Sequence, residues 1–96
     1  MHVRLTQISG PPGNVKEVTQ RINEMVIPRA RQLKGVKQAF FASDDATGKT
    51  VGFVMFETEE DLVASREAVQ SIREETVAAM GGTVLSVEEL EVVAQI

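Results

Sequence analysis

One stretch constrains this chain more than any other. Thr50 to Glu57 reads T-V-G-F-V-M-F-E, apolar almost without interruption. Drawn as a strand, it puts Val51, Phe53 and Met55 on one side and Val54 and Phe56 on the other. A strand wetted on one side alternates apolar with polar, so one that is apolar on both belongs to a sheet covered on both. Adjacent Phe40 and Phe41 in the preceding segment repeat the demand. Each such side chain left in water would forfeit roughly 1.5–3 kcal/mol.

The rest of the chain decides what can do the covering. Met1 to Ser9 alternates, with Val3 and Leu5 opposite His2, Arg4 and Thr6, and reads as a strand. Gly10-Pro11-Pro12-Gly13 ends it. A first helix is expected from Asn14, an N-cap with Glu17 in capping-box position. Its apolar stripe is Val15, Val18, Ile22, Met25 or Val26, and Leu33. Pro28 cannot donate to the Glu24 carbonyl, so a kink or break is expected there. Gly35 is the expected C-terminal cap.

Val36 to Ser43 reads as the second strand, Asp44 to Lys49 as a hairpin loop closed by a left-handed Gly48, and Thr50 to Glu57 as the third strand. Thr58 should cap a second helix whose first turn holds Glu59, Glu60 and Asp61. Leu62, Val69, Ile72 and Met80 form its buried stripe, and Gly81-Gly82 ends it. The last strand begins at Thr83. Its apolar phase changes parity from Leu85 and Val87 to Leu90 and Val92, which predicts a bulge near Glu88-Glu89.

The order strand, helix, strand, strand, helix, strand defines a single α+β domain over residues 1–96, ferredoxin-like, with a four-stranded antiparallel sheet. Two helices cover one face of such a sheet. A second subunit covering the other face satisfies the doubly apolar third strand, so a homodimer is expected. In a monomer the surplus apolar side chains would instead have to line an internal pocket.

Composition narrows the function. Cysteine is absent. That removes disulfides and thiolate chemistry and fits a reducing cytoplasm. No apolar run approaches the ~20 residues of a membrane helix. A net charge of −4 argues against a nucleic-acid partner. Asp44 and Asp45 read as turn residues, and no metal site is expected. Arg66 and Arg73 are expected in surface salt bridges with Glu67, Glu74 or Glu75.

The pattern resembles the dimeric α/β-barrel superfamily, which includes the antibiotic biosynthesis monooxygenase-like domains. The resemblance spans nearly the whole chain. It rests on V-I-P-R-A-R-Q-L-K-G-V at Val26 to Val36, D-D-A-T-G-K-T at Asp44 to Thr50, F-E-T-E-E-D-L at Phe56 to Leu62, and T-V-L-S-V-E-E-L-E-V at Thr83 to Val92. It implies two ferredoxin-like sheets packed face to face, with a small-molecule pocket between the sheet and the helices of each subunit. Members include cofactor-free oxygenases of aromatic substrates and haem-binding proteins. Trp and Tyr are absent here, and His2 is the sole histidine.

The expected function is therefore a small-molecule-binding homodimer, monooxygenase-like and without a cofactor, taking a small hydrophobic or aromatic ligand. His2, Arg4 and Thr6, three polar side chains on one face of a central strand, are the candidate ligand-binding residues, with His2 as a possible proton acceptor. Phe40, Phe41, Phe53, Met55 and Phe56 are expected in the core or the dimer interface. A second reading is a non-catalytic dimeric regulatory or protein-interaction module. A third follows from Lys49 to Phe56, which resembles the longer signature of RNA recognition motifs. There Val51 replaces a base-stacking aromatic, as Arg4 does in the first strand.

Overall fold

A computed structural model describes residues 1–96. Four strands, β1 (His2–Ser9), β2 (Val36–Asp44), β3 (Lys49–Phe56) and β4 (Thr83–Glu91), form one antiparallel sheet in the order β2-β3-β1-β4. The α+β, ferredoxin-like expectation holds, and β1 is central. Its register places His2 beside Phe56, Arg4 beside Val54, Thr6 beside Gly52 and Ile8 beside Thr50. Those residues share the face on which the helices lie. Val3, Leu5, Val51, Phe53 and Met55 take the opposite face by alternation.

The first helical segment runs as α1 (Val15–Arg21), a π-helical turn over Ile22–Val26, and α2 (Ile27–Ala30). The interruption expected at Pro28 takes this form. The Ile27 N–H reaches back five residues to the Ile22 carbonyl, and proline then occupies the first turn of α2, where its missing donor costs little. The α2 helix ends at Ala30, before Leu33. Gly35 lies five residues beyond the end of α2, with a positive φ where the chain turns into β2.

Asn14 precedes α1, but its side chain makes no cap. The expected capping box is replaced by a long-range cap. Asp45, in the β2–β3 loop, accepts the Val15 N–H at 3.0 Å through Oδ1, and its carbonyl accepts the Gly13 N–H at 2.8 Å. The same loop closes as expected. Asp44 accepts from the Ala46 N–H, and Gly48 has φ 77°.

Thr58 caps the second helical segment by accepting the Asp61 N–H at 3.0 Å. That segment is two helices, α3 (Glu59–Ala64) and α4 (Arg66–Met80), meeting at Ser65. The break was not expected from sequence. In β4 the bulge lies at Leu85, between the partners of Gln7 and Ile8, three residues before the expected place.

The helices close only one face. Phe40 and Phe53 stack on the open face, ring centroids 4.7 Å apart and 14° from parallel. Phe40 is 52% exposed and Leu90, paired with Val3 on the same face, 47%.

Candidate functional site

The most unusual side chain in the molecule is Arg4. It sits mid-strand on the helix side of the sheet and is only 2% exposed. A buried guanidinium needs hydrogen bonds and a counter-charge. Arg4 has both. It donates to Ser65 Oγ at 3.0 Å, to the Leu62 carbonyl at 3.1 Å and to Glu89 Oε2 at 2.9 Å. Its guanidinium lies 5.6 Å from the centre of the Phe56 ring.

These bonds explain the α3–α4 break. The Leu62 carbonyl accepts from Arg4, from the Ser65 N–H and from Ser65 Oγ. Glu89 stands opposite Arg4 on β4 and also accepts from Arg66, at 2.7 Å. The bonds from Arg66 hold the Glu89 carboxyl below the usual carboxylate range, with those from Arg4 adding to the effect and partial burial opposing it. Arg66 thus pairs with β4 rather than with the glutamates of its own helix.

Beyond Arg4 the sheet and helices enclose a partly open cavity of about 80 Å³. Arg4, Thr6 and Ile8 of β1 form part of its floor, with Thr50, Gly52 and Val54 of β3 beside them. Ile22, Val26 and Ala30 wall one side; Val69, Ile72 and Met80 of α4 wall the other. The floor exists because Gly52 has no side chain. A Cβ there would stand 2.7 Å from Phe41 Cε1, so the Phe41 ring lies flat against the backbone and becomes a cavity wall. Phe41 and Ile22 also border an outer groove of about 210 Å³ against α1.

Of the three residues singled out from sequence, Arg4 and Thr6 line the cavity together. His2 shares their face but lies outside the cavity walls. Its Nε2 stands 3.0 Å from Glu59 Oε2, and its Nδ1 is buried without a partner. Phe41 is placed differently from the core or dimer-interface role expected for it, because adjacent Phe40 and Phe41 point to opposite faces.

Sequence reasoning missed Arg73, Thr76 and Ser65. Arg73 and Thr76 line the cavity, and their signal was available: Val69, Ile72, Arg73, Thr76 and Met80 follow the helical period of one face. Burial, and then the like charge of Arg4, push the Arg73 guanidinium below its ordinary pKa. It remains a cation, as arginine does in proteins.

No protein-family model matches the chain, and no curated protein does. Solved structures match over its full length. A candidate antibiotic biosynthesis monooxygenase from Deinococcus radiodurans superposes with a TM-score of 0.76 at 13% identity, covering 100% of this chain and 96% of that one. A dimeric ferredoxin-like protein from an uncultured marine organism gives 0.77 at 8% identity, covering 100% and 98%. The ActVA-Orf6 monooxygenase of Streptomyces coelicolor, solved with nanaomycin D, gives 0.73 at 12% identity, covering 99% and 89%. The chain therefore has the ferredoxin-like fold expected from its sequence, a fold it shares with candidate antibiotic biosynthesis monooxygenases.

Proposed function

We propose that this protein is a homodimer, each subunit of which binds a small, mostly apolar molecule between its sheet and its helices. The observation that carries the reading is the cavity itself. A core of this size has every reason to close, since voids lose packing energy. Here an almost wholly apolar chamber is kept, with Arg4 and Thr6 among the residues of its floor. That is the usual make-up of a small-ligand site. Dimerisation is supported by the open sheet face, which carries the stacked Phe40 and Phe53 and the exposed Leu90, and by the dimeric ferredoxin-like structure it resembles.

The cavity walls hold no carboxylate, imidazole, thiol or phenol. Binding is therefore the reading the geometry favours. Oxygenation of the bound molecule is the second reading, favoured by the fold shared with the Streptomyces coelicolor monooxygenase.

A thermal-shift screen of quinones and hydroxylated aromatics tests the proposal, with Ala30→Leu as the control. Ala30 is buried in the cavity wall, and the larger side chain fills the space. Ligands that stabilise the wild-type protein should leave the variant unmoved. Equal stabilisation of both would place binding elsewhere and refute the cavity as the site. Oxygen uptake with the stabilising ligands separates oxygenation from binding.

A further inference from the structure

We infer that the part of the ligand buried in this cavity is bare hydrocarbon, and that any polar group it carries lies at the mouth. This deepens the ligand-binding reading and rests on it.

The wall includes polar residues, yet almost all of its surface is carbon. The polar atoms of the wall are engaged within the protein. The Arg4 guanidinium donates to Ser65, Leu62 and Glu89. The Thr50 hydroxyl lies 2.8 Å from that of Ser43, and the Thr76 hydroxyl donates to the Ile72 carbonyl at 2.7 Å. Arg73 meets the space through its methylene stem. Thr6 supplies a single hydroxyl, fewer than the roughly two to four polar partners that hold a buried water. Water therefore fills this space poorly. A hydroxyl or carbonyl of a ligand pushed into it would lose its own hydration without replacement.

Size sets the orientation. A closed apolar cavity of about 150 Å³ takes up benzene. This one, at about 80 Å³, is smaller and partly open. A single six-membered ring enters it only in part, so its leading edge meets the apolar wall and its far edge stays at the mouth. The leading edge has to be carbon, whereas the far edge can carry a hydroxyl that keeps its water.

The test is a titration of the ¹⁵N-labelled protein, under argon, with p-xylene, p-cresol and hydroquinone, which share one shape and carry none, one and two hydroxyls. The backbone amides of Gly52 and Thr76 report on the cavity. p-Cresol can turn its hydroxyl to the mouth, but hydroquinone must bury one. The second hydroxyl should therefore weaken binding at least about tenfold more than the first, in line with the penalty for burying a hydroxyl unpaired. An apolar patch open to water would weaken equally at each step. Ala30→Leu fills the space and should remove the response to p-xylene and p-cresol. Equal steps in the wild-type protein, or unequal steps that survive Ala30→Leu, would overturn the hydrocarbon inference; equal steps would still leave the cavity as a ligand site. Absence of any shift at Gly52 and Thr76 with all three compounds would overturn both.

Discussion

Arg4, on the central strand, donates to the carbonyl of Leu62 at 3.1 Å, at the point where the helix above it divides in two. One buried cation thereby shapes the roof of the cavity and ties it to β4 through Glu89. Removing its counter-charge should be felt more than removing the exposed partner on the same carboxylate. Glu89→Gln leaves Arg4 buried without a compensating charge and should destabilise the fold by about 1–3 kcal/mol. Arg66→Gln, at a side chain 58% exposed, should leave stability close to that of the wild-type protein. Urea denaturation of the two variants measures the difference.

The same carboxylate gives stability a pH dependence. The folded-state pKa of Glu89 lies below its ordinary 4.5, chiefly through the bonds from Arg66. Its contribution is complete above the ordinary value and is lost as pH falls through the lowered folded value. Below about pH 4.5, wild-type stability should therefore decline more steeply with acidification than that of Glu89→Gln. Denaturation curves collected from pH 6 downward, at roughly unit steps, compare the slopes; parallel slopes would remove Glu89 from the account.

Gly52 and Phe41 form a coupled pair. In Gly52→Ala the new methyl meets the Phe41 ring, and the crowding should cost about 1–3 kcal/mol. Shortening the ring in a Gly52→Ala, Phe41→Leu double variant should recover part of that loss. A double-mutant cycle by thermal or chemical denaturation reads the coupling, and an additive cycle would show that the two residues do not bear on each other.

Asp45 acts as the N-cap of α1 from across the molecule. Asp45→Ala should lose the bond to Val15 and cost about 1 kcal/mol. Asn14→Ala should change little, because the Asn14 side chain makes no cap. Hydrogen exchange of the first turn of α1 distinguishes the two variants directly.

The fold was legible in the sequence because its signals are local. Alternation in β1 and β3, the Thr58 cap and the turn chemistry of Asp44 and Gly48 each lie within a few residues of one another. The corrections share the opposite character. The cap on Val15 comes from 30 residues away, and the Ser65 break depends on a guanidinium 61 residues away. The β4 bulge falls at Leu85 because pairing with β1 decides it, whereas parity along β4 says only that a bulge is needed. At the site, period two grouped Arg4 with Thr6 on one face. It could not separate His2, which meets Glu59 at the strand end. Arg73 was misread as a surface residue because its charge outweighed its position on the buried stripe of α4.

The sheet is apolar on both sides, and its helices close one of them around a cavity. In the proposed homodimer a second copy closes the other, and the solution mass tests this most directly. Sedimentation equilibrium should give twice the 10.5 kDa of one chain, and Phe40→Asp, which puts a charge in the exposed aromatic pair of the open face, should return the mass to that of one chain with the fold intact. A wild-type protein that stays at 10.5 kDa across all concentrations would contradict the account.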